Sequence, residues 1–193
     1  MSLAEELEID GFSWTEALPE VAYLAAIKSI SPEALDEIAR GLRIRLPARY
    51  LELACSAQGR CPSRTAFVVW DISESPGGAL PELGSGHVRD IAFFAFLALR
   101  GSSPWLGDSF GMQLDLLAPS NPGLLPFAFD LRGNLLCLDY GEEWTDQEPS
   151  VVYYDRARST GDDVFPVSSD FSRFLDALSE NAAEASTFMP NEG

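Results

Sequence analysis

Apolar and polar positions alternate in a few legible blocks, the densest of which runs from Leu125 to Tyr140. Phe127, Phe129 and Leu131 precede the pair Gly133-Asn134, and Leu135, Leu136 and Leu138 follow it. A pair that tolerates positive φ between two apolar runs predicts a β-hairpin. The runs are nearly continuous rather than alternating, which suits strands covered on both faces. Val151-Val152-Tyr153-Tyr154-Asp155 reads as a further strand. In the segment Ser168 to Leu178, the residues Phe171, Phe174, Leu175 and Leu178 fall at i, i+3, i+4 and i+7, the spacing of one helical face.

The N-terminal half carries helix signals. Ser31-Pro32-Glu33 offers an N-cap serine, a proline at the first helical position and an early acid, and the pattern runs through Arg40 to Gly41. Pro19 followed by Glu20 to Ile27 predicts a helix with proline in its first turn, and Pro47 to Ala57 another that ends at Gly59. Leu3, Leu7 and Ile9 with Phe12 and Trp14 suggest a short helix and an anchored turn. Thr65 to Trp70 is a strand by β-branched and aromatic content. Asp71 to Asp90, with Pro76-Gly77-Gly78 and Gly84-Ser85-Gly86, reads as a flexible loop. Gly111 to Leu117 is read as a strand. So is Ile91 to Leu99, although a run that is apolar throughout also fits a buried helix.

Several motifs occur here in a telling order: Leu46-Pro47-Ala48-Arg49-Tyr50 opening a second helix, the hairpin with Pro126-Phe127-Ala128, Val151 to Asp155, and Phe171-Ser172-Arg173-Phe174-Leu175. In this order the chain resembles the SUKH superfamily (Smi/Knr-like), over roughly residues 31 to 180. Where that family carries Asn-Gly-Gly after the second helix, this chain has Ala57-Gln58-Gly59, keeping the glycine and losing the asparagine. The superfamily includes fungal cell-wall regulators and bacterial immunity proteins that neutralise polymorphic toxins. The resemblance implies an α+β fold in which a central, mostly antiparallel sheet of about six strands packs against N-terminal helices and a C-terminal helix. One domain is expected over residues 1–183, with a flexible tail at 184–193. The resemblance further implies action by binding, with no catalysis and no cofactor. The partner implied is a basic toxin, such as a nuclease; a regulatory scaffold of the fungal type is the alternative.

Composition sets bounds on function. A chain of 193 residues with 46% hydrophobic content is long enough to bury about 70% of its unfolded surface in one core. Acidic residues outnumber basic ones 30 to 13, giving a formal charge of -17. Nucleic acid and anionic membranes would be repelled, and the arginines together with Lys28 form no basic stripe. A basic protein would instead be steered in by the same field. Residues 1–10 hold four acids and no basic region of a secretory signal, and no apolar run is long enough to span a bilayer, so the expected localisation is cytoplasmic. Three cysteines without framework spacing agree with a reducing compartment.

Little in the chain has the spacing of an enzyme. His87, the one histidine, would have to serve any hydrolytic triad, yet Gly84-Ser85-Gly86 does not match the nucleophile elbow, and an exposed loop histidine is the plainer expectation. Cys55, Cys61, His87 and Cys137 lack zinc spacing. The richest cluster is Asp139, Glu142, Glu143, Asp146 and Glu148, five carboxylates in ten residues interleaved with Tyr140 and Trp144. A polar loop offers no apolar pocket to raise a carboxyl pKa for general acid catalysis, and the acids do not follow calcium-loop spacing. Carboxylates beside large aromatics suit a protein interface, against the plain alternative of a solvated loop with Trp144 folded onto the sheet. Trp70, Asp71 and Glu74, at the end of a strand, form a second candidate surface.

Overall fold

The computed structural model describes residues 7–9, 12–16, 31–56, 60–70, 86–94, 121, 123–130, 132–141, 147–156 and 163–179. In chain order these form β1 (Leu7–Ile9), β2 (Phe12–Glu16), α1 (Pro32–Leu42), α2 (Ala48–Ser56), β3 (Arg60–Pro62), β4 (Ala66–Trp70) and β5 (Gly86–Phe94). They continue with β6 (Leu124–Asp130), β7 (Leu135–Asp139), β8 (Ser150–Tyr154), β9 (Val164–Ser168) and α3 (Phe171–Asp176). The fold is α+β: a six-stranded sheet in the order β4-β5-β6-β7-β8-β9, antiparallel throughout, beside a three-stranded sheet β1-β2-β3.

The central hairpin forms where the apolar pattern placed it, but its turn works differently. Of the pair Gly133-Asn134, Gly133 alone takes a positive φ, +80°. Two main-chain bonds close a three-residue loop between Asp130 and Asn134, the Asp130 N–H donating to the Asn134 carbonyl at 3.1 Å and the Gly133 N–H to the Asp130 carbonyl at 3.1 Å. Asn134 is there for its side chain, and Asp130 is the hub. The Asp130 carboxylate accepts from the Arg132 N–H at 2.8 Å, the Asn134 N–H at 2.9 Å, the Asn134 Nδ2 at 2.9 Å and the Tyr153 hydroxyl at 2.7 Å. A buried carboxylate so surrounded ties the turn to β8.

Both faces of β6, β7 and β8 are covered, as continuous apolar strands require. Leu125, Phe127, Leu136, Leu138, Val151 and Tyr153 face the main core with α1, α2 and α3, while Leu124, Leu135, Cys137 and Val152 gather on the opposite face. The helical face read at 171–178 is buried at all four positions. Phe171 and Phe174 meet Phe127 edge-on at 5.2 and 5.6 Å between ring centroids, and Tyr50 of α2 meets Phe171 at 5.5 Å. α3 begins later than its sequence suggests, because Ser168 belongs to β9 and the Asp170 carboxylate caps the helix by accepting the Arg173 N–H at 2.8 Å. Arg49 of α2 joins the two helices, donating to the Ser172 carbonyl at 3.0 Å and pairing with Asp176 at 2.7 Å.

Other expectations are corrected. Leu7–Ile9 and Phe12–Glu16 pair as antiparallel strands, with Leu7 opposite Trp14, rather than forming a short helix; one turn of helix is costly to nucleate, and Trp14 gains full burial by pairing with β3 at Pro62. The stretch 86–90, read as the end of a loop, is the first half of β5, pairing Gly86 with Trp70 and Asp90 with Ala66. His87 therefore sits in a strand opposite Val69 and not in an exposed loop. α1 runs one residue past Gly41 and is closed instead by Arg43 at φ +58°, with the Ile44 N–H donating to the Ala39 carbonyl at 3.0 Å. The expected elements at 19–27, 57–59, 95–99 and 111–117, and the tail at 184–193, lie outside the described residues.

The two outer strands of the large sheet are shielded. β4 is bridged at Ala66 to Ser179, just after α3, by two main-chain bonds of 3.0 and 3.1 Å. β9 carries the exposed Pro166, which has no N–H to offer. The sheet also curls enough to bring β4 and β9 into contact.

Candidate functional site

The acidic segment leaves the sheet at the end of β7 and returns at β8, where Asp139 and Ser150 are register partners. Its root is a close backbone seam. Gly123, at φ +111°, lies so near Gly141 that a Cβ there would stand 1.8 Å from the Gly141 carbonyl oxygen. Gly141 itself turns at φ +71°. The Tyr140 N–H donates to the Gly123 carbonyl at 3.0 Å, and the Asp139 carboxylate accepts the Gly141 N–H at 2.8 Å. This short side-chain turn sets the direction in which the loop departs.

Tyr140, expected to offer aromatic surface, is only 4% exposed. Its ring joins the main core and its hydroxyl donates to the Arg45 carbonyl at 2.9 Å. Burial, and then the negative charge of Glu148, push its phenol well above the usual range, so it stays a neutral donor. Tyr140 is thus an anchor: the large ring that made it look interfacial is spent in the core, and its polar tip is satisfied internally. Glu148 is exposed, Asp139 half-buried. Glu142, Glu143, Trp144 and Asp146 lie outside the described residues. So do Asp71, Glu74 and the side chain of Trp70, whose main chain ends β4.

Beside the returning arm of the loop lies a groove of about 490 Å³ that no sequence motif announced. Its charged lining is Asp36 from α1, Arg45 from the α1–α2 link, Arg49 from α2 and Glu148 from the loop. Tyr140 holds these parts together, since its hydroxyl grips the main chain of the link that carries Arg45. The segments are about a hundred residues apart in sequence, and only folding brings them together.

Nucleophilic and metal chemistry find little support in the thiols. Burial pushes Cys61 up to about 11 and Cys137 higher still, and raises Cys55, so all three are protonated near neutrality. Among the described residues no three His, Cys, Asp or Glu side chains gather as metal ligands. No described helix is long and apolar enough to cross a membrane.

Neither the curated proteins nor the solved structures include a match to this chain. A family model does match, over residues 29–177, about three quarters of the chain, taking in α1 through the C-terminal helix and every strand of the six-stranded sheet. The element order, the two-faced hairpin and this match agree, and the chain belongs to the SMI1 / KNR4 family (SUKH-1).

Proposed function

We propose that this chain is a non-catalytic protein-binding domain that acts as an immunity protein, capturing a basic toxin of the cell that makes it through the acidic loop from Asp139 to Glu148. The observation that carries the reading is the loop's foundation. A run of carboxylates on a chain of charge -17 is rooted in a rigid seam, Gly123 against Gly141 with Tyr140 buried behind it. A root held in place removes part of the ordering that docking would otherwise require, which favours affinity. Its field speeds the encounter with a cationic surface. Family membership admits a regulatory scaffold as well; the charge and its concentration in one loop favour the toxin.

An immunity gene should sit beside a toxin gene, and titration calorimetry with a toxin domain encoded by such a neighbour tests the proposal. Binding should weaken with added salt, and the triple change Glu142→Gln, Glu143→Gln, Trp144→Ala should lower affinity while leaving the circular dichroism spectrum intact. Undiminished affinity in the triple variant moves the interface elsewhere. Turnover of any substrate by the purified protein ends the non-catalytic reading.

A further inference from the structure

Between Glu37 and Glu52 the chain carries Arg40, Arg43, Arg45 and Arg49 and no acid, in a sequence whose acids outnumber its bases 30 to 13. Arg49 is spent inside the fold, on Asp176 at 2.7 Å and the Ser172 carbonyl at 3.0 Å. The other three are exposed and form no ion pair among the described residues. Their roots are fixed nonetheless. The Arg43 N–H donates to the Arg40 carbonyl at 3.3 Å, and the Tyr140 hydroxyl holds the Arg45 carbonyl at 2.9 Å. Buried Ile44 and Leu46 alternate with Arg43 and Arg45, which turns the two arginines outward. Arg43 is also the one described residue other than glycine with a positive φ, +58°. Helices usually end on glycine at such a position, because a Cβ is strained there. Strain of this kind persists mostly where the residue has a task.

The anion that suits these arginines is a short one. Glu33, Asp36 and Glu37 before them and Glu52 after them are exposed, as is Glu148, which lines the groove with Arg45. A phosphodiester strand, charged at every nucleotide, would press its further charges on these acids. A peptide segment with one or two carboxylates avoids them.

We infer that Arg40, Arg43 and Arg45 receive a carboxylate-bearing segment of the protein partner, a contact opposite in sign to the acidic loop. The inference rests on the protein-binding function proposed above and deepens it. Two contacts of opposite charge fix the orientation of a partner and disfavour a surface that is basic throughout.

The test uses the full chain, labelled with nitrogen-15, at about 0.15 M salt, where distant charges are screened. The probe is a capped peptide with two glutamates among glycines, and its glutamine counterpart is the neutral control. The glutamate peptide should shift the amide resonances of Arg40, Arg43 and Arg45 saturably, and the glutamine peptide should bind several-fold more weakly. Arg43→Gly with Arg45→Gln should weaken the glutamate peptide about fivefold, the loss of two exposed charge pairs, without lowering Tm, since glycine suits the left-handed position. Arg132→Gln with Arg156→Gln removes the same charge at exposed positions elsewhere and should leave the affinity unchanged. Equal binding of the two peptides, or an equal loss in both double variants, overturns the inference. A thymidine oligonucleotide that shifts the same amides at lower concentration than the glutamate peptide overturns it in favour of nucleic acid. The same shifts on concentrating the protein alone overturn it in favour of a second copy. A toxin bound equally by wild type and by Arg43→Gly with Arg45→Gln removes the arginine contact and leaves loop docking intact. Glutamate-peptide binding in a chain that captures no toxin supports the arginine contact and removes the toxin reading alone.

Discussion

Replacing Gly123 by alanine probes the seam on which the acidic loop stands. The added Cβ would lie 1.8 Å from the Gly141 oxygen and 2.7 Å from its carbonyl carbon. Ordinary contact begins near 3.4 Å, and both atoms are backbone, so no side chain can swing aside. Relief must come from moving the main chain of one arm, the kind of overpacking that costs about 1–3 kcal/mol. The φ of +111° adds about 1–3 kcal/mol of its own for a residue with a Cβ. The two together, about 2–6 kcal/mol, are a large part of the about 5–15 kcal/mol by which a domain is stable. Gly141→Ala is the internal control, because its φ is +71° but a Cβ there meets nothing within 4 Å. It should cost only about 1–2 kcal/mol, the left-handed penalty alone. Urea unfolding followed by circular dichroism should therefore place the midpoint of Gly123→Ala clearly below that of Gly141→Ala. Equal midpoints would show that the seam gives way freely, and the argument for a rigid loop foundation would fail.

Tyr140→Phe removes the hydroxyl that serves the Arg45 carbonyl and should cost about 1–2 kcal/mol in thermal unfolding. Asp130→Ala strips an acceptor from two main-chain N–H groups, the Asn134 amide and the Tyr153 hydroxyl, and should cost about 3 kcal/mol or more, with hydrogen exchange rising first at the hairpin tip. Arg43→Gly should stabilise by about 0.5–1 kcal/mol, since relief of left-handed strain exceeds the added entropy of the unfolded chain. Burial raises the Cys61 thiol from about 9 to about 11, so the unfolded chain loses this proton first; stability is full below about pH 9 and declines toward 11. Cys61→Ala should flatten part of that alkaline decline in Tm, and an unchanged slope counts against the burial argument.

What the sequence disclosed depended on how local the cause was. The α3 face, Phe171, Phe174, Leu175 and Leu178, needed only a helical repeat to be seen, and all four are buried. The hairpin strands showed because burial on both faces leaves an unbroken apolar run. β5 was half hidden because His87, Arg89 and Asp90 look like loop residues, and only their pairing with β4 makes them a strand. Asn134 was noticed for its backbone and matters through its side chain, a distinction that depends on Asp130 and Tyr153 arriving beside it. The acidic loop was conspicuous by composition, whereas its anchoring by Tyr140 was not, since a tyrosine among acids looks the same whether it faces solvent or core. Asp36, Arg45 and Arg49 carried no signal, because their neighbourhood with Glu148 exists only after α1, α2 and the loop have come together.

The shielding of the outer strands bears on how the protein fares at high concentration. With Ala66 already bonded to Ser179 and Pro166 lacking an N–H, a second copy finds little of an open ladder to extend at those points. At those points crowded copies are denied one route to templating one another into fibrils. The same two points offer no ladder for strand donation, which leaves more of the selectivity for one associate over another to side chains.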